Sequence, residues 1–586
     1  MPAGTTEAPE ATHPAVDEAE STPPAAAQPR TARQWRPAKT VVSRRLEALA
    51  KQATVAASRQ QIAKLARRLQ ATTGSAKRAE RIDAAVETML ADADTGSANG
   101  LLRLEAATWV VAWRLGSKHA GSTASLEAAL LALADEAEAR LREGDTVVAA
   151  FVLTASRLLH SRATRQRSQA EAGVWTACEA EILKLVTSSG VVSLDDSTAV
   201  VSRVARWTHI REAAVAAAKA AKAKQTFARK AEQRWKKAIA AALRLLGPGG
   251  AAVAPSEEAR LPAAYGDAIV QAAARHGGKA VRKAAALLQR PPQKRPNRED
   301  GAIDLNLDDR QAAVAVLRSS WQGRPVRVLL DYRSENPHLE VVAGSRTLLH
   351  GPWQWQVHLG SERLSAEGPW AVCHHEEDDD VTLLVIAAML TGGLRLERHL
   401  LLGREDRVML LADAVVDAGG DSPPTGVTYR GSLPVAAGVD VTAAAETREL
   451  TIADTKPQAM LMPLALPEWN CSHTDHSWGW DASSREITLT QRSPVRRLFA
   501  PVWVDLAARR FRTQVTWRQL TVADTRVILR PEQAAGFRIQ AGLTQWLLYR
   551  ALDEPRNRTF LGCNLSSFFR LGTLGDDGLV SQMAEW

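Results

Sequence analysis

The sequence predicts a two-part protein: an N-terminal domain of helical hairpins stacked side by side, followed by a large antiparallel β-sandwich. Three observations carry this. Between residues 39 and 289 apolar side chains recur every three or four positions. Beyond residue 313 they alternate, or run in short blocks of β-branched and aromatic residues punctuated by Gly, Pro, Asp and Ser. Lysine also changes usage at the divide, Lys456 being the only one after Lys294.

Residues 1–38 are rich in Ala, Pro, Glu and Thr and poor in large apolar side chains, so they cannot bury enough surface to offset ordering and are expected to be a disordered tail. The helical domain is expected over 39–289. LLRLEAATWVVAWRLG (101–116) and SLEAALLALADEAEARLREG (125–144) have the helical spacing, with Ser125 as N-cap and Gly144 as C-cap of the second. Asp145 can cap a following helix, DTVVAAFVLTASRLLHSR. Further helices fit 167–187, 195–225, 225–246 and 262–276. Phe227, Ala231, Trp235, Ile239 and Leu243 make one buried stripe, and Lys219, Lys222, Arg229, Lys230, Lys236 and Lys237 lie largely off it. That basic face suits either phosphates or plain solvation.

Residues 290–312 read as a proline-rich, charged linker and domain entry, and 313–586 as the sandwich. RVLLDY, LEVVA, WQVHL, VTLLVIAAML, LRLERHLLL, RVMLLADAVV, ELTIA, EITLTQ, VTWRQLTVA, TRVILR, FRIQ and QWLLYRAL all read as strands. So many strands without intervening helices imply sheets packed face to face.

The chain has 586 residues, 45% hydrophobic and 24% charged, with 74 basic and 65 acidic residues and a net charge of +9. That excess brings nucleic acid or an acidic polymer into consideration but is modest for the length and decides neither; nucleic acid, through the 219–237 helix, is an unlikely partner and only a distant alternative. The four cysteines form no CxxC pair and no disulfide framework. Neither a secretory signal nor a run of about 18 apolar residues is visible, so a cytoplasmic, non-membrane protein is the expectation. Walker, GxSxG and GxGxxG motifs are absent, which argues against nucleotide-driven, serine-hydrolase and dinucleotide chemistry.

Histidine and tryptophan mark the remaining candidates. The hairpin ENPHLEVVAGSRTLLHG (335–351) places His338 at a strand start, as a catalytic group or as an ordinary polar residue. Cys373-His374-His375 before EEDDD, and Cys471, His473 and His476 beside Asp475, contain zinc-type donors. Their spacing matches no standard module and EEDDD reads more simply as a charged turn, so no metal and no cofactor is expected. Trp353 and Trp355 are two apart on a strand and share a face, which suits a sugar-stacking platform and a core equally.

Three stretches give the chain a family resemblance: AVAVLRSSW (313–321), NPHLEVVAGSRTLLHG, and LRLERHLLLGREDRVMLLADAV (394–415). With a helical half before a sandwich, they resemble the heparinase II/III-like polysaccharide lyases, so the resemblance implies an α/α-toroid-like helical domain over 39–289 ahead of the antiparallel β-sandwich. The resemblance implies an acidic polysaccharide or oligosaccharide as partner and β-elimination at a uronate as the reaction. It also points to His338, Tyr265 and Glu340 as catalytic residues, and to Arg318, Arg333, Trp353 and Trp355 as substrate-binding residues. Where the family has histidine-x-aspartate, this chain has His338-Leu339-Glu340, and His350 stands where an aspartate is typical. A non-catalytic carbohydrate-binding or scaffold protein that retains the architecture is the alternative.

Overall fold

The computed structural model describes residues 39–586 except 54–55, 72–75, 93–97, 115–123, 140–151, 153–154, 156–164, 194–195, 221–226, 257–258, 260, 262, 291–304, 419–424 and 576. The expected tail at 1–38, most of the helix expected from Asp145, and most of the 290–300 connector lie outside the described residues.

The first half is helical, as its periodicity predicts: α1 (Lys39–Gln52), α2 (Ala56–Gln70), α3 (Ala76–Ala91), α4 (Ala98–Arg114), α5 (Ala124–Ala139), α6 (Arg165–Leu185), α7 (Ser197–Ala220), α8 (Arg229–Arg244), α9 (Ala263–His276) and α10 (Lys279–Gln289). α8 buries Ala231, Trp235, Ile239 and Leu243 and exposes Lys230, Lys236 and Lys237. Phe227 precedes this helix, and its ring stacks on Trp175 at 4.6 Å between centroids. α10 is a helix that the periodicity did not single out. Its buried face is Ala284, Ala285, Leu287 and Leu288, and small alanines give a weak apolar signal after the Gly277-Gly278 break. Tyr265, on α9, therefore has one more helix after it among the described residues of this half.

The second half is built of antiparallel sheets. The first is a meander of 307–309, 314–318, 326–331, 338–343 and 346–352. Alternation explains why its inner strands are buried throughout. Val314, Val316 and Leu329 join the helical core, whereas Ala315, Leu317, Val328 and Leu330 face the sandwich core. Gly344, at φ +63°, makes the 343–346 turn against the Arg324 side chain, where a Cβ would clash.

An eight-stranded sheet follows in the order 440–443, 450–453, 457–463, 498–505, 408–417, 394–403, 381–390, 371–377. One face packs on the first sheet and on the sheet containing 354–359, 427–434 and 486–493; the other packs on the sheet of 515–520, 534–541, 544–551, 569–574 and 580–585. The strand 498–505 carries Pro501 in its interior, which sequence rules confine to edges. The physical reason is local. The Pro501 carbonyl faces Leu464, whose N–H donates to it at 3.0 Å, just where pairing with 457–463 has ended. A strand residue's nitrogen faces the same way as its carbonyl, so the missing N–H is turned away from strand 408–417 and leaves that pairing intact.

Arginines bind the helical half to the first sheet. Arg318 is fully buried, and its Nη1 donates to the Arg244 and Leu246 carbonyls at 2.8 and 2.7 Å, while its Nε donates to the Ser320 carbonyl. These are orphan carbonyls at the C-terminus of α8, where the helix dipole also favours a cation. Arg327 donates to the Leu245 carbonyl beside them. Asn306 accepts from the Arg318 N–H at 2.9 Å and donates to Thr382 Oγ1 at 2.8 Å, extending the joint to the eight-stranded sheet. Among the described residues no helix is long and apolar enough to cross a membrane.

Candidate functional site

Two clusters of chemistry-bearing side chains lie along α7. Its first residue, Ser197, faces the sandwich. The Ser197 hydroxyl and N–H both donate to Glu340, and burial raises the Glu340 carboxyl above the ordinary range. The His338 and His350 rings meet edge to face, with centroids 4.9 Å apart. Ligand atoms of His338, Glu340 and His350 fall within 4.8 Å of one another. Two imidazoles and a carboxylate are ligand types that zinc accepts, so this set could hold a divalent cation. Among the described residues neither the 373–375 stretch nor the 471–476 loop brings three such donors together.

The second cluster lies further along α7. Arg206 Nε points at the Tyr265 hydroxyl on α9 at 3.4 Å, and the His209 ring lies 6.1 Å from the Tyr265 ring. Arg206 and His209 are three residues apart, so they share one helix face. Burial, assisted by the charge of Arg45, lowers the His209 pKa to about 3 and keeps its ring neutral at ordinary pH. Arg45 donates to Glu105 at 2.6 Å, whereas no carboxylate is paired with Arg206 among the described residues. A guanidinium, a phenol and a neutral imidazole together can bind a carboxylate and move a proton next to it.

The residues singled out in the sequence are not gathered at one place. Tyr265 belongs to the second cluster; His338 and Glu340 belong to the first. At ~1.5 Å per residue, Arg206 is about 14 Å along the helix axis from Ser197. Arg318 is held in the joint described above. Arg333 pairs with Asp331 at the turn before His338. Trp353 is buried under the Arg398 guanidinium, 4.0 Å from its centroid, and Trp355 is buried with its Nε1 donating to the Glu335 carbonyl at 3.0 Å. Both indoles occupy the sandwich core rather than an open platform. Arg206 and His209 were not read from the sequence, although their i, i+3 spacing in RVARWTHIREA is visible there.

No protein-family model matches the chain, and no curated protein does. Solved structures do. Heparinase III superposes with a TM-score of 0.51 at 12% identity, over 84% of this chain and 82% of the other. Heparan sulfate lyase HepC from Pedobacter heparinus gives 0.50 at 13% identity, over 86% and 85%.

The chain has the heparinase III fold. The match spans helices and sheets together, as the order of parts in the sequence led us to expect. Within the heparinase III fold, this chain joins its halves through Arg318, Arg327 and the Ser197–Glu340 contact, and the Arg206–Tyr265 pair lies in the helical half.

Proposed function

We propose that the protein acts on an acidic polysaccharide by β-elimination at a uronate, with Arg206, His209 and Tyr265 meeting the sugar. The observation that carries this is a guanidinium without a carboxylate partner among the described residues, 3.4 Å from a tyrosine hydroxyl. In the reaction a base takes the proton from the carbon beside the carboxylate. The electron pair forms the carbon–carbon double bond as the bond to the leaving oxygen breaks, and that oxygen is protonated. Arg206 neutralises the carboxylate, which stabilises the carbanion-like transition state. Tyr265, acting as the phenolate beside the Arg206 guanidinium, takes the proton from the carbon and returns it to the leaving oxygen. His209, held neutral, offers a hydrogen bond without repelling Arg206. The names of the fold neighbours, heparinase III and heparan sulfate lyase HepC, support an acidic glycan as substrate.

A second reading is a carbohydrate-binding protein that retains the architecture without turnover. It is favoured by the structural engagement of Arg318, Glu340, Trp353 and Trp355. The test is to incubate the protein with heparan sulfate and with an unsulfated uronate polymer and follow absorbance of the unsaturated product. Tyr265→Phe should lower kcat/KM by about 10²–10⁴-fold with folding intact. Arg206-dependent binding without turnover would establish the second reading, and no binding at all would exclude both.

A further inference from the structure

At the opposite end of the sandwich from the helical half lies a crevice that neither cluster uses. Its mouth, about 440 Å³, is lined by Asp417, Arg496, Arg497, Arg530, Glu532 and Gln533. Glu532 is shared with a smaller cavity behind it, of about 100 Å³, lined among others by His476, Gln491, Arg492, Phe499 and Phe537. The walls come from the 493–498 turn, the end of strand 408–417, and the turn before strand 534–541. Thr382, which bonds the interdomain Asn306, is at the other end of these strands. At ~3.4 Å per residue that places the crevice roughly 30 Å from the joint.

The crevice holds more positive charge than it neutralises. Arg496 is paired with Asp417 at 3.3 Å and donates to the Gly392 carbonyl. Arg492, Arg497 and Arg530 have no carboxylate partner among the described residues, and Glu532 is the one other acid in the lining. A second observation points inward. Gln491 is 2% exposed, and its Oε1 is buried in the cavity lining without a hydrogen-bond partner. Native proteins rarely leave such an atom unsatisfied, and a ligand hydroxyl would satisfy it. Unpaired guanidinium groups in the larger crevice, next to a cavity that holds a hydroxyl acceptor and the aromatic rings of Phe499 and Phe537, match a sugar that carries carboxylate or sulfate groups.

We propose that this crevice is a second saccharide site, which takes an anionic unit of the polysaccharide remote from the Arg206–Tyr265 cluster. The identity of the ligand rests on the reading in the preceding section; the location does not. The site holds the chain and leaves the chemistry to the helical half.

The experiment is calorimetric titration of the full chain with a heparan sulfate octasaccharide at low and moderate salt. Three proteins are compared: wild type, Arg497→Glu/Arg530→Glu, and Arg206→Ala. Arg530→Glu alone, at an exposed side chain, is the second crevice variant should the double variant fold poorly. Loss of at least about tenfold in affinity in a crevice variant, with the salt dependence reduced, supports the site. Affinity unchanged in the crevice variants but lost in Arg206→Ala overturns the crevice and leaves the proposed function standing. Loss in the crevice variants alone supports the crevice and counts against the helical cluster as the binding site. No binding by the wild type overturns both.

Discussion

Ser197 and Glu340 stand 143 residues apart in sequence, and the serine donates both its hydroxyl and its N–H to the glutamate carboxylate. The contact ties the start of α7 to the first sheet of the sandwich. It buries a carboxyl group that is 3% exposed, and the Arg327 guanidinium acts against the effect of that burial.

Burial raises the Glu340 pKa above its ordinary 4.5, so the folded protein favours the protonated form. A raised pKa means that the stability contributed is fully present below 4.5 and is lost as pH rises through the folded value. Glu340→Gln should therefore flatten the decline in stability as pH rises above 4.5. Glu340→Ala, which strands the Ser197 donors, should cost about 1–3 kcal/mol. Urea midpoints measured across that range check both, and a Gln variant with the wild-type pH profile would contradict the assignment.

Arg318→Ala should destabilise the protein by about 3–5 kcal/mol, because it leaves buried carbonyls at the end of α8 without donors. Arg318→Lys should recover only part of this, since one ammonium cannot reproduce the fork that spans Arg244, Leu246 and Ser320. Equilibrium denaturation gives the values. A neutral Ala variant would mean that the joint does not depend on this side chain.

Zinc should raise the thermal midpoint of the wild type in proportion to the logarithm of its concentration, as a ligand of the native state does. His338→Ala and His350→Ala should each abolish the shift, because two donors bind far more weakly than three. Scanning fluorimetry with and without chelator is sufficient. Equal shifts in wild type and variants would assign the effect to another site.

His209, lowered to about 3, is neutral in the native state but protonates near 6.5 when unfolded. A depressed pKa means that its contribution is present above the unfolded value and is lost as pH falls from about 6.5 toward 3. His209→Gln should lose less stability over that interval than the wild type. In the wild type the His209 imidazole carbon resonance should stay at the neutral position down to pH 5; titration near 6.5 would show a solvated ring.

Local sequence determined the order of helices and then strands. Periods of 3.6 and 2 are properties of neighbouring residues, and each half keeps its period over a long span. The same reading stopped at Pro501, because whether a missing N–H matters depends on which strand lies opposite and where that pairing ends. It also stopped at α10, whose alanine face acquires meaning only against α8 and α9.

The sites divide along the same line. His338 at a strand start and Tyr265 on a helix were legible from position and residue type, as was the i, i+3 spacing that puts Arg206 and His209 on one face. Only the tertiary structure decided that Arg318 closes a helix end, that Glu340 receives Ser197, and that Trp353 and Trp355 are core. It also decided that Arg206 meets Tyr265 across two helices, and that Arg497 and Arg530 share a crevice. These are contacts between residues distant in sequence, and pairing energies across such distances leave no periodic trace in the chain. The sequence alone determined the kinds of surface each segment presents; folding determined which surfaces meet, because burial and hydrogen-bond satisfaction are settled by neighbours that the chain brings together only in three dimensions.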